Sequence, residues 1–185
     1  MNRALLATLI TILLAVASDC LGEGDTCAPE LVQARKTALT LNYVQFDQTP
    51  GKGWRLLAEE ESCFAEAGNL IDLYITGRSD LRDSQRVNLS FHAGQVYAFA
   101  GKNDEALKRF RSAVVNPAAG PEFKWSEYVL ATIAFLEHDA DSLVKYRNII
   151  EDAASYSPNA SNLQIVDLLI KNFDRPYRDA LRRAR

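Results

Sequence analysis

Apolar residues recur at intervals of three and four along most of the chain, the spacing that gathers them on one face of a helix. The first run, "APELVQARKTALTLNYVQF", aligns Leu31, Ala34, Ala38 and Leu41, with Pro29 suited to a first turn. It predicts a helix over 29–46, stopped by the turn cluster "DQTPGKG" at Asp47 to Gly53. "WRLLAEEE" and "FAEAGNLIDLYIT", separated by Ser62 and Cys63, predict a hairpin over 54–76. "DSQRVNLSFHAGQVYAFA" and "DEALKRFRSAVV", split by "GKN", predict a second over 83–115. Asn103 is expected as the N-cap of its later helix, with Asp104 and Glu105 in the first turn and Lys108, Arg109 and Arg111 further on, as the helix dipole prefers. "KWSEYVLATIAFLE" and "SLVKYRNIIEDAA" flank "HDAD" in a third hairpin over 122–154, and "SNLQIVDLLIKNF" and "YRDALRRAR" flank "DRP" in a fourth over 160–184. No alternating run of β-branched residues bounded by turn signals suggests a strand, so the expected class is all-α.

The later helices of these pairs align with one another. Ala67, Ala106, Ser142 and Ala180 stand 39, 36 and 38 residues apart and are all small. Ile71, Phe110 and Tyr146 follow four residues on, and Tyr74, Ala113 and Ile149 three after that. A small residue lets two antiparallel helices touch, and the large residue one turn later fills the groove to the next pair. A single hairpin cannot bury its apolar face alone, so such units stack.

The best unit, Ala93 to Ala113, carries Gly94 and Tyr97, then Gly101 at the turn, then Ala106, Phe110 and Ala113. It resembles the tetratricopeptide repeat, a helix-turn-helix unit with a G-x-x-Y element followed by an A-x-x-x-F element. The resemblance covers roughly Trp54 to Arg183 at the helix-pair period. Ser90, Ala93 and Ala118 stand where that family has Trp, Leu and its closing Pro, and Pro117 falls one residue early. "FDQTPGKGWRLLAEEESCFAEAGNLIDLY" is also similar to a pattern in uncharacterised secreted bacterial proteins with such repeats. The resemblance implies a short right-handed α-solenoid of stacked antiparallel hairpins. It also implies that ligands lie against the leading helix of each pair, on a surface with Asn88, Phe91, Gln95 and Phe99 in one unit and Lys124, Glu127, Ala131 and Phe135 in the next. Phe91, Phe99 and Phe135 would then make an apolar strip for a peptide or helix. The other outcome is that the N-terminal helix or the C-terminal segment folds into the groove.

The ends change this picture. "MNR" followed by the apolar stretch Ala4 to Ala17 reads as a secretory signal peptide over 1–22, leaving 23–185 as one helical domain. An uncleaved anchor is the alternative. Cleavage after Ala17 leaves Cys20, Cys27 and Cys63; cleavage after Gly22 leaves only the last two. Export to an oxidising compartment favours a Cys27–Cys63 disulfide over two free thiols. Lipidation of Cys20 is disfavoured, because Asp19 stands where a lipoprotein signal has a small residue. The expected location is therefore the periplasm or the extracellular space.

With 185 residues, 48% of them hydrophobic and 24% charged, the composition is that of an ordinary globular domain. A formal charge of −3 provides no basic field for nucleic acid. His92 and His138 are the histidines, and neither has a partner at metal-ligand spacing. No metal or cofactor is expected. His92 reads as packed or surface-exposed, His138 as part of a hairpin turn. "GKG" at Gly51 to Gly53 lacks the phosphate-loop arrangement. "EEE" at Glu59 to Glu61 reads as a solvated helix end or an acidic patch. "NLS" at Asn88 and "NAS" at Asn159 match the glycosylation tripeptide, without weight in a chain of bacterial aspect. The basic "RPYRDALRRAR" reads as a last helix with arginines near its C-terminus, or as a contact for an acidic partner. The functional expectation is a non-catalytic protein or peptide binder, for example an inhibitor, immunity or assembly factor for another exported protein. The competing expectation is an enzyme or small-ligand binder using His92 or a cysteine.

Overall fold

The computed structural model describes residues 27–116 and 118–182. The expected signal peptide with its cleavage site, Cys20, Pro117, Arg183 and Arg185 lie outside the described residues. Among the described residues all regular structure is helical: α1 (Ala28–Ala38), α2 (Trp54–Leu57), α3 (Phe64–Gly77), α4 (Asp83–Phe99), α5 (Asn103–Ala113), α6 (Trp125–Leu136), α7 (Ala140–Asp152), α8 (Ser157–Lys171) and α9 (Tyr177–Leu181). A π-helical turn at Val44–Gln48 and a 3-10 turn at Glu61–Cys63 complete the set. Successive helices pack on one another, and α9 comes back to lie on α4 as well as on α8. No described helix is long and apolar enough to cross a membrane.

The first helix is shorter than its apolar stripe suggests. It ends at Ala38, where Thr37 and Thr40 turn their hydroxyls back onto the carbonyls of Gln33 and Thr37 at 3.2 and 2.7 Å. Such bonds offer the backbone an alternative to continuing the helix. Helical backbone restarts at Asn42, whose Oδ1 accepts from the Gln45 N–H at 2.9 Å while Gln45 Oε1 accepts from the Asn42 N–H at 3.1 Å. This reciprocal pair satisfies two donors in the manner of a capping box. The stripe that predicted one helix over 29–46 thus belongs to two elements with a break between them.

α4 is buried round most of its circumference, from Val87 to Ala98, and is the central helix of the fold. It packs closely because it lacks bulk where neighbours cross. A Cβ on Gly94 would lie 2.8 Å from the Phe110 ring of α5, and one on Gly68 of α3 would lie 2.6 Å from the Tyr97 ring of α4. Both spacings are far inside van der Waals contact. Ala67, Ala106, Phe110, Ala113 and Ala180 are fully buried, as the aligned pattern requires.

The third unit departs from that alignment. In α7 the buried residues are Leu143 and Ile150, whereas Ser142, Tyr146 and Ile149 are only partly covered. Asp139 accepts a hydrogen bond from the Ser142 N–H at 3.0 Å, placing Ser142 in the capped first turn. The packing register therefore runs one residue later than the small-residue alignment suggests.

The hairpin turns α4–α5 and α6–α7 share one geometry. Gly101 has φ 72° and His138 has φ 56°, both left-handed. The Lys102 N–H reaches the Tyr97 carbonyl at 2.9 Å, and the Asp139 N–H reaches that of Ala134 at 2.9 Å. Each is the long bond of a Schellman motif, which ends a helix and turns the chain.

Ahead of these hairpins lies a collar, residues 27–63. The Cys27 and Cys63 sulfurs are 2.13 Å apart, at bonded disulfide distance, tying α1 to the start of α3. Phe46 stacks on Tyr74 with ring centroids 3.7 Å apart, and the Tyr74 hydroxyl donates to the Leu41 carbonyl at 2.9 Å. At the other end of the domain Asn159 is fully buried on α8. It accepts from the Lys124 N–H at 2.9 Å and donates to the carbonyls of Glu122 and Ala153 at 2.8 and 2.9 Å. A carboxamide so enclosed is a structural pin and is closed to a glycan.

Candidate functional site

The residues expected to line a groove do not form one strip. Phe91 is 5% exposed and lies in the core between hairpins, ringed by Phe110, Trp125 and Tyr128 at 5.3, 5.1 and 5.4 Å. Asn88 sits at the collar edge, donating to the Tyr43 hydroxyl and accepting from Asn116, each at 3.4 Å. Lys124 stands near the start of α8, its ammonium on the Pro121 carbonyl at 3.2 Å. Glu127 is half-buried on α6 and Ala131 fully buried. Gln95, Phe99 and Phe135, in contrast, do converge, and they converge on a residue the sequence did not single out.

That residue is Tyr177, the first of α9. Its ring lies 5.5 Å from Phe99, 6.4 Å from Phe110 and 5.9 Å from Phe135, so α4, α5 and α6 each contribute one wall. The open apolar strip is thus covered by the chain's own C-terminal segment. Phe173 adds a second aromatic edge against Phe135 at 5.9 Å and against His138 at 5.7 Å. Burial holds the Tyr177 hydroxyl well above its ordinary pKa, with Tyr128 adding to the effect and Gln95 opposing it, and the hydroxyl has no hydrogen-bond partner among the described residues. Burial also raises the Tyr128 hydroxyl, to about 12.

The segment is held lightly at its rim. Arg178 reaches Glu61 Oε2 at 3.1 Å, Arg182 pairs with Glu61 Oε1, and Asn172 donates to the Ala180 carbonyl at 2.9 Å. Glu61 and Arg182 are more than half exposed, and exposed ion pairs contribute about 0–1 kcal/mol each. Two hollows flank Pro176. One, of about 420 Å³, is lined by Glu61, Ala65, Phe99 and Arg178; the other, of about 300 Å³, by Asn103, Phe135, His138 and Asp174. Glu61 belongs to the acidic run seen in the sequence, and its neighbours across the rim are basic.

His92 occupies a separate polar centre. Asp47, fully buried, accepts from His92 Nδ1 at 2.7 Å and from Trp54 Nε1 at 2.9 Å on the same oxygen, while Gln48 bonds the other. Burial alone would raise the Asp47 carboxyl, but the hydrogen bond and charge of His92, with Trp54 and Tyr43, hold it below the ordinary range. Arg55 stacks on Trp54 with its guanidinium carbon 4.3 Å from the ring centroid and donates to the Asp47 carbonyl. The arrangement fixes the His92 ring and pins the "DQTPGKG" turn to α4. Among the described residues no hydroxyl or thiol hydrogen-bonds to His92, and no cluster of three or more metal-ligating side chains occurs. Both described cysteines are joined at disulfide distance, so neither is a free thiol in this structure.

Tyr177 escaped sequence reasoning because its ring partners lie 42 to 78 residues away, and Asp47 because its histidine partner lies 45 away. "RP" before Tyr177, which ends one helix and starts another with an aromatic residue, was the local signal. No family model, curated protein or solved structure matches the chain.

Proposed function

We propose that the chain is an exported, non-catalytic protein- or peptide-binding module of stacked helix hairpins, similar in plan to a short tetratricopeptide-like right-handed solenoid. The observation that carries this reading is the face built by Phe99, Phe110 and Phe135 from three helices of two consecutive hairpins, which receives a separate chain segment and leaves hollows on both sides of it. Export is supported by the Cys27–Cys63 pair, because disulfides persist in oxidising compartments, and by the leader-like N-terminus. Within that class, an inhibitor, immunity or assembly factor for another exported protein in the periplasm or outside the cell fits a scaffold with an adaptable groove.

A photo-crosslinking residue at Ala65 or Asn103, on the rims of the two hollows, is expected to give a discrete adduct in the native compartment. The same residue at Lys145, exposed on α7, is expected to give none. Equal labelling from all three positions would overturn the reading.

The Asp47–His92 contact is the one observation favouring an enzyme or small-ligand binder, since a carboxylate on Nδ1 leaves Nε2 as the basic atom. That version requires Nε2 to be open. Protection of His92 from diethyl pyrocarbonate, with His138 modified in the same sample, would remove it.

A further inference from the structure

We propose that residues 173–182 are a built-in stand-in for the partner, and that the site they occupy takes a basic helical peptide with an aromatic anchor and a small residue three positions later. This rests on the binding reading above and specifies the chemistry of its ligand.

The physical case begins with α9 itself. It has five residues, too few to be helical in water unless packed against something. What packs it is a pair of buried side chains one turn apart, Tyr177 at 2% and Ala180 at 0% exposure. An aromatic residue and a small one at i and i+3, docked in an apolar groove, is how a helical peptide is read by a helix-lined surface. Tyr177 is also the sort of residue that dominates peptide interfaces: large, rigid and amphipathic.

The charge pattern then fixes the ligand's sign. Arg178 and Arg182, on the outer side of the segment, both meet Glu61. Glu61 also lines the larger hollow, so the rim facing the segment there carries its carboxylate. The anchor pocket is therefore apolar and its edge anionic, which selects a ligand carrying Arg or Lys next to its aromatic residue and again one turn further on.

The segment also underfills its site. Hollows of about 420 and 300 Å³ open on either side of Pro176, where the chain enters. A proline at that point ends the backbone donors that a longer helix would supply through the same space. A partner helix continuing past the anchor in place of Pro176 fills those hollows, giving it contacts the tethered segment lacks. The tether supplies the compensation: linked copies act at an effective concentration of about millimolar, so a free ligand competes only if it binds better or is abundant.

The probe is a fluorescent peptide of residues 173–182, and the readout is its anisotropy with two full-length variants. Tyr177→Ala empties the anchor pocket, and the peptide's own tyrosine is expected to fill it, binding at least about tenfold more tightly than to the unaltered chain. The second variant, Arg178→Glu with Arg182→Glu, repels the segment from Glu61 without touching the core, and is expected to tighten peptide binding in the same direction. Changing the peptide's tyrosine to alanine should abolish binding to both, and exchanging its arginines for glutamates should weaken it. Absence of binding to both variants, each folded by circular dichroism, would overturn the proposal and leave α9 as an ordinary part of the core. Crosslinking from Ala65 and Asn103 to a partner, with no peptide binding, would remove this ligand chemistry and keep the binding reading; peptide binding with no partner crosslink would do the reverse.

Discussion

The collar from Cys27 to Cys63 and the central hairpins from Asp83 to Asp152 hold their shape by different means. In the hairpins the dominant device is close approach. Gly94 admits the Phe110 ring, and both turns use one left-handed residue, Gly101 or His138, and the same pattern of hydrogen bonds. The collar has short helical pieces with breaks between them, so it relies on a disulfide, a buried carboxylate shared by His92 and Trp54, and the Phe46–Tyr74 stack. The contrast shows that helix packing is self-supporting where two complete helices face each other. Where the leading helix is cut to one turn, as in α2, covalent and polar links supply what apolar area cannot.

This contrast has consequences of graded size. Removing the Phe110 ring, fully buried at the heart of the central hairpin, is expected to cost about 3–5 kcal/mol of unfolding free energy. Denaturant titration of Phe110→Ala checks this, and a small loss would show that the hairpins do not carry the fold. Replacing Cys27 and Cys63 together by serine opens a link between residues 36 apart and should cost about 2–4 kcal/mol. Hydrogen exchange on that variant should show lost protection in α1 with protection in α4 retained; uniform loss would merge the two regions into one cooperative unit.

Asp47→Asn probes the collar's polar pin and is expected to cost about 1–3 kcal/mol at neutral pH, the range for unbalancing a buried hydrogen-bonded group. The sign of its pH dependence follows from the direction of the shift. The folded-state pKa of Asp47 lies below the ordinary value, so its stabilisation is complete above the unfolded pKa and disappears as pH falls through the folded one. Below about pH 4 the parent chain should therefore lose stability that Asp47→Asn does not have to lose, and the two acid-denaturation curves should converge. The smallest expected effect compares the two turns. Gly101→Ala should destabilise by about 1 kcal/mol, because an L-residue is strained at φ 72°, whereas His138→Gly should stabilise by less than about 1 kcal/mol, relief of the same strain being offset by the lost edge contact with Phe173. Thermal melts of both variants read the difference.

Much of this architecture was legible from local pattern. The apolar stripes located the helix pairs, Gly94 with Ala106 and Phe110 marked a close helix crossing, and the expectation of export pointed to a Cys27–Cys63 pair. Errors arose where a side chain serves the backbone instead of the core. Ser142 looked like a packing residue but sits in the capped turn set by Asp139, so Leu143 and Ile150 do the packing. Thr37, Thr40 and Asn42 interrupt a helix that the apolar stripe alone would continue. The site was less legible than the fold. The repeat resemblance together with helical spacing placed Gln95, Phe99 and Phe135 on a common face, but Phe91, put there too, belongs to the core. The occupant, Tyr177, comes from a segment whose partners are distant in sequence, and no local periodicity encodes such a return.

If the face under Tyr177 is a ligand site occupied in cis, as proposed above, a free peptide of the same sequence should displace the segment. Fluorotyrosine at position 177 of the full-length protein tests it directly by 19F NMR, because that ring reports its own burial. A buried resonance is expected to give way to a solvent-exposed one as the peptide of residues 173–182 is raised toward millimolar concentration, with the rest of the domain still folded. A resonance that stays buried throughout, while the protein remains folded, would contradict it.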